Sequence, residues 1–140
     1  MKQRKWIGIL LLAALLPGVL TGCAVRGKKE IAVIVKATDS DFWHSVRSGV
    51  DSAATEYNVS VTFEGPDNEE DYAAQNQLIA DAVARGADAI VLSAIDYDRS
   101  ADIVTDAARK GVQVVTIDSG VNSPHVGLFI GTDNTAAGEA

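Results

Sequence analysis

Five short apolar runs punctuate the chain, at residues 31–36 (IAVIVK), 59–63 (VSVTF), 88–92 (DAIVL), 112–117 (VQVVTI) and 127–131 (GLFIG). Each is five or six residues long and rich in β-branched side chains, the signature of strands. Three stretches with helical spacing, 41–57, 69–85 and 99–110, separate the first four runs. In the first of them Phe42, Val46, Val50, Ala53 and Tyr57 recur every three or four positions, which predicts the stripe that faces the sheet. Strand and helix alternate, and the strands are continuously apolar. That combination predicts an α/β fold, a doubly wound parallel sheet covered on both faces.

Polar punctuation supports the division. Asp39 or Ser40 is placed to cap the first helix, Asn68 with Asp71 the second, and Asp98 the third. Gly86 and Gly111 stand just before the next strand, where a helix end wants a left-handed residue.

The first 22 residues belong to a different class of sequence. Lys2, Arg4 and Lys5 precede an almost unbroken apolar stretch from Trp6 to Leu16, which Pro17 and Gly18 interrupt ahead of small residues. This is the pattern of a secretion signal. As a helix, residues 6–20 would span roughly 22 Å, short of the roughly 30 Å of hydrocarbon in a membrane. The segment Leu20-Thr21-Gly22-Cys23 resembles the lipobox of bacterial lipoproteins, in which the signal is cut before the cysteine and the thiol receives a diacylglycerol. Cys23 is the chain's single cysteine, so it has no disulfide partner within the chain and no thiolate cluster to join. Residues 23–30 then read as a lipidated cysteine with a short polar tether, and the expected location is an exported protein anchored to the cell membrane by lipid.

Without residues 1–22 the balance is nine Lys and Arg against 19 Asp and Glu, a net charge of -10. A nucleic-acid partner would call for the opposite balance, and no basic stripe with interleaved aromatic residues occurs.

In an open parallel sheet, ligands meet the chain beyond the carboxyl ends of the strands. The segments there hold Asp39, Ser40, Asp41, Phe42, Trp43, Asp96, Asp118, Ser119, Asn122, Thr132, Asp133 and Asn134. Carboxylates and amides suit the hydroxyls of a sugar, and flat rings suit its C–H face. The turn after the first strand, residues 36–41, has no glycine, so it is not a dinucleotide fingerprint; the phosphate loop and the serine-hydrolase elbow are absent as well. His44 and His125 are isolated, and no cofactor, metal or catalytic group is implied.

At these positions the chain closely resembles the ribose-type and galactose-type periplasmic binding proteins, whose sugar domain is shared with the lactose-repressor family of regulators. The resemblance runs from about Ile31 to Ala140. It rests on IAVIV followed by a polar turn and Phe42-Trp43, on Gly49, on ARGADAIVL at 84–92, on GVQVVTIDS at 111–119, and on IGTDN at 130–134 with Gly138. It implies a sheet in the order 2-1-3-4-5. It also implies that Phe42 and Trp43 sandwich a sugar, that Ser40 reaches a hydroxyl, that Asp118 accepts two hydroxyls, and that Thr132 lies near the hinge. Two positions depart from the ribose pattern: Ser119 where arginine often follows the aspartate, and Lys36 where a small polar residue is common. Lys36 is therefore expected either to neutralise Asp39 or Asp118, or to meet an acidic sugar.

The resulting expectation is a first lobe at residues 31–133, with 134–140 beginning the crossover to a second lobe that this chain does not carry. In such a protein the ligand, a small sugar or polyol, is held between two lobes that close by hinge motion. The closed form of this monomer is expected to be recognised by the permease subunits of an ABC-type importer. The alternatives are a sensory receptor that presents its ligand to a histidine kinase or chemoreceptor, and an exported enzyme on the same sheet. Half a cleft is expected to bind feebly, because it leaves the ligand half solvated.

Overall fold

A computed structural model describes residues 27–139; the expected secretion signal and Cys23 lie outside the described residues. Five strands, β1 (Glu30–Ile34), β2 (Ser60–Glu64), β3 (Ala89–Leu92), β4 (Gln113–Ile117) and β5 (Leu128–Ile130), form one sheet. Every pairing is parallel and the order is β2-β1-β3-β4-β5. The connections are α1 (Asp41–Glu56), α2 (Tyr72–Ala84) and α3 (Ala101–Arg109), and a last short helix, α4 (Asn134–Glu139), follows β5.

Continuous apolar strands work because both faces of the sheet are covered. Alternate residues of β1 enter two cores: Ala32 and Ile34 pack with Ile79 and Ala82 of α2, Ile90 and Leu92 of β3, and Val104 and Ala107 of α3. Val33, with Val35 and Ala37 beyond the strand end, packs on the opposite face with Trp43, Val46 and Val50 of α1. The sheet-facing stripe of α1 therefore runs through Trp43, Val46 and Val50, one position round the helix from the expected one at its start. Phe42 and Tyr57, assigned to that stripe by spacing, are 56% and 71% exposed. Helical periodicity gives the width of an apolar face but not its centre when two aromatic residues are adjacent.

Of the three expected caps, one forms as read and one shifts. Ser40 Oγ accepts from Trp43 N at 3.3 Å; α2 is capped by Asp71 in place of Asn68, with Asp71 Oδ1 accepting from Ala74 N at 2.9 Å while Asn68 Oδ1 accepts from Glu70 N at 3.0 Å. Asp98 does not cap α3, whose N-cap position is Ser100. Instead Asp96 organises the turn before it, its Oδ1 accepting from Asp98 N and Arg99 N at 3.0 and 2.8 Å, while Asp98 Oδ1 accepts from Asn122 Nδ2. Gly86 and Gly111 both take positive φ, 85° and 90°, as the helix ends require.

Candidate functional site

The carboxyl edge of the sheet brings together residues from three adjacent strands. Lys36 lies two residues beyond β1, Ser93 one beyond β3, and Asp118 one beyond β4, so the strand order places Ser93 between the other two. Lys36 Nζ spans that gap to Asp118 Oδ2 at 3.0 Å. Ser93 Oγ donates to the same oxygen at 3.0 Å and Ser119 Oγ at 3.2 Å. Three donors thus converge on Oδ2, leaving Oδ1 outside this cluster.

Burial disfavours the charged form of Asp118 and is the largest single influence on it. The hydrogen bonds from Lys36 and Ser93, the charge of Lys36 and the bond from Ser119 together outweigh it, and hold the carboxyl below its ordinary value. The backbone is unusual as well. Asp118 has φ of 59°, a left-handed conformation that non-glycine residues adopt at a cost of roughly 1 kcal/mol or more. Its N–H donates to Ile130 O of the neighbouring strand at 3.0 Å, which pins the turn.

The remaining sequence candidates divide. Phe42 sits in the first turn of α1 with its ring exposed, against Trp43 in an edge-to-face arrangement, centroids 4.7 Å apart. Trp43 is 2% exposed and belongs to the core, with its indole Nε1 donating to Glu69 Oε1 at 2.9 Å. The two rings therefore do not present together to an entering molecule. The Ser40 hydroxyl oxygen accepts the capping bond of α1. Thr132 is exposed beyond β5, and Asp133 caps α4, its Oδ1 accepting from Thr135 N and Ala136 N. Asp96 pairs with Arg99 and accepts from two backbone N–H groups; the bond from Arg99 N is the main reason its carboxyl lies below the ordinary value. Among the described residues no group of three His, Cys, Asp or Glu side chains is arranged to hold a metal ion.

Two residues of this region escaped sequence reasoning. Ser93 follows the apolar run of β3 directly and reads there as the strand's polar end. Gln75 of α2 is wholly buried and satisfies backbone groups at the ends of β1 and β3. The signal for it was a polar residue on the buried stripe of α2, Gln75, Ile79 and Ala82, spaced by four and three. One glycine is also structural here: a Cβ on Gly65 would lie 3.0 Å from Val35 O, because the chain leaving β2 passes close to the end of β1.

Lys36 and Asp118 are partly exposed at the rim formed by the strand ends, whereas Ser93 is fully buried.

Comparison with known proteins agrees with the fold. The model of the periplasmic binding protein domain family matches residues 31–140. The ABC transporter periplasmic-binding protein YphF of Escherichia coli is 29% identical over 129 residues, 92% of this chain and 39% of that protein. The ribose import binding protein RbsB of Haemophilus influenzae is 29% identical over 132 residues, 91% of this chain and 44% of that one. Among solved structures, an ABC transporter solute binding protein of Agrobacterium vitis with bound D-fucose superposes with a TM-score of 0.75 at 39% identity. That match covers 79% of this chain and 39% of the other. The chain thus spans about two-fifths of the length of the curated relatives it matches.

Proposed function

The chain belongs to the periplasmic binding protein domain family, and from that membership we propose that it is the first lobe, residues 31–133, of a receptor that captures a sugar or similar small polar solute for an ABC-type importer. The observation that carries the reading is the cluster on Asp118. A carboxylate with one oxygen held by Lys36, Ser93 and Ser119 offers its other oxygen to ligand hydroxyls in a fixed direction. Lys36 keeps that acceptor charged and supplies N–H groups of its own, so a neighbouring hydroxyl or a ring oxygen has a donor beside the acceptor. Phe42, exposed at the start of α1, supplies the flat apolar surface that a C–H face needs. Among the relatives, one is named for ribose import and another was solved with D-fucose bound, which favours a sugar.

In this reading Asp118 and Lys36 contact the ligand, and Ser119 orients Asp118. Ser40 and Trp43 serve the framework, and Thr132 lies on the approach to the second lobe, which residues 134–140 enter. The open rim becomes a closed site when that second lobe folds over it, and the closed form is what a permease recognises. Binding is the whole activity, and no bond is made or broken in the ligand. The protein is exported as a monomer and tethered to the membrane through acyl chains on Cys23.

A thermal-shift screen of the full-length protein against pentoses, hexoses, polyols and acidic sugars tests the reading. Ligand at 100 times its dissociation constant adds about 2.7 kcal/mol to stability. A stabilising sugar whose effect is lost in Asp118→Ala supports the proposal, and an acidic sugar that also requires Lys36 would identify the ligand's charge. Absence of any hit across the panel refutes the sugar assignment. Incorporation of radiolabelled palmitate that is lost in Cys23→Ser tests the anchor separately.

A further inference from the structure

The described residues bury four polar side chains almost completely, and Gln75 is the largest of them. It projects from α2 into the interior between the ends of β1 and β3, beyond the last register pair of those strands, Ile34 with Leu92. Its Nε2 donates to Val35 O and to Ser93 O, each at 3.0 Å, and its Oε1 accepts from Ile95 N at 2.9 Å. Both amide hydrogens and the oxygen are therefore used. Turning the amide over would set its oxygen against two carbonyl oxygens and its NH2 against an N–H, so one orientation is selected.

What these bonds join is informative. Val35 immediately precedes Lys36, and Ser93 itself supplies one of the hydroxyls on Asp118. Gln75 thus ties together the two strand ends whose side chains converge on the same carboxylate oxygen, and its own hydrogen bonds go to Val35 O, Ser93 O and Ile95 N rather than to the side chains of Lys36, Ser93 or Asp118. The backbone ladder between β1 and β3 ends with Ser93 N donating to Ile34 O at 2.9 Å, and beyond that bond the Gln75 side chain takes over the link between the two strand ends.

We infer that Gln75 is a positioning residue: it sets the separation of the β1 and β3 ends, and so the reach of Lys36 and Ser93 to Asp118. The consequence for ligand rests on the receptor reading above, but the effect on Asp118 does not. Methionine has nearly the length and volume of glutamine without its hydrogen bonds, so Gln75→Met isolates the amide.

The experiment is a pH titration of the Asp118 side-chain carboxyl carbon by NMR in the full-length protein. It compares the unaltered chain with Gln75→Met, Lys36→Met and Ile79→Ala. Lys36 is the charged group placed against Asp118, so Lys36→Met sets the reference upward move of the midpoint. Gln75→Met is expected to move it in the same direction and to weaken binding of any sugar found in the screen by about tenfold. Ile79→Ala, one turn further along α2 in the core, is expected to lower stability with the midpoint unmoved. A folded Gln75→Met protein with an unmoved midpoint overturns the inference, as does an equal move in Ile79→Ala. If Gln75→Met does not fold, couplings across the hydrogen bonds from Gln75 Nε2 to the Val35 and Ser93 carbonyl carbons decide in the unaltered protein: their presence supports the tie, and their absence overturns it. A midpoint that moves in a protein that binds no sugar leaves the positioning intact and removes the ligand reading. Sugar binding with an unmoved midpoint does the reverse.

Discussion

Replacing each of the adjacent rings Phe42 and Trp43 with alanine separates core from ligand surface. Trp43 is 2% exposed, packs against Val33, Val35 and Ala37, and donates its indole N–H to Glu69. Removing a fully buried large aromatic side chain costs about 3–5 kcal/mol through lost transfer energy and the cavity left behind. Glu69 is exposed and can turn to water, so the lost hydrogen bond adds at most about 1 kcal/mol. With a urea dependence of about 2 kcal/mol per molar, Trp43→Ala should lower the unfolding midpoint by about 2 M. Phe42 is 56% exposed and loses mainly its edge contact with Trp43, so Phe42→Ala should cost about 1 kcal/mol or less. The binding assay should rank them the other way. At a ligand concentration and temperature where both variants are folded, calorimetry should show Phe42→Ala weakened about tenfold, the value of roughly 1.4 kcal/mol of apolar burial. Trp43→Ala should remain within a few-fold of the unaltered protein. Unchanged stability in Trp43→Ala together with abolished binding would refute the placement of the indole in the core.

Two further outcomes follow from single contacts. Gly65→Ala drives a methyl group to 3.0 Å from Val35 O and 3.3 Å from Ala37 C, both backbone atoms, and should destabilise the protein by about 1–3 kcal/mol in the same urea experiment. A stability change within experimental error would mean that the chain after β2 yields. The depressed carboxyl of Asp118 makes a small contribution to stability with a definite sign. That contribution is present above the carboxyl's ordinary value and disappears as pH falls through the lower value of the folded protein. Because the side chain is 41% exposed, solvent screening keeps it below about 1 kcal/mol. The stability difference between the unaltered protein and Asp118→Asn should therefore shrink as the solution is acidified through that range, and a difference that grows instead would contradict the ion pair with Lys36.

The fold was legible in the order of elements, because period-2 and period-3.6 patterns depend only on where apolar residues recur. Continuous apolar runs such as AIVL in β3 carried the parallel, two-faced sheet, since each face of such a strand must be buried. The glycines at 86 and 111 marked helix ends because few other residues accept positive φ. The loops that bear the candidate site were visible too, as polar residues at strand ends. Their partnerships were not. Sequence left Lys36 a choice between Asp39 and Asp118, and the choice falls to Asp118 because strand order puts β1 and β4 on either side of β3, with Ser93 between them. Spacing along α1 could not tell which of two neighbouring rings enters the core; the rotation of the helix against β1 makes it Trp43 and turns Phe42 outward. Gln75 shows the same division most plainly. Its place on an apolar stripe was visible in the chain, but its partners lie 40 and 18 positions away in sequence. Hydrogen bonds over such separations exist only after the sheet has brought the strand ends together.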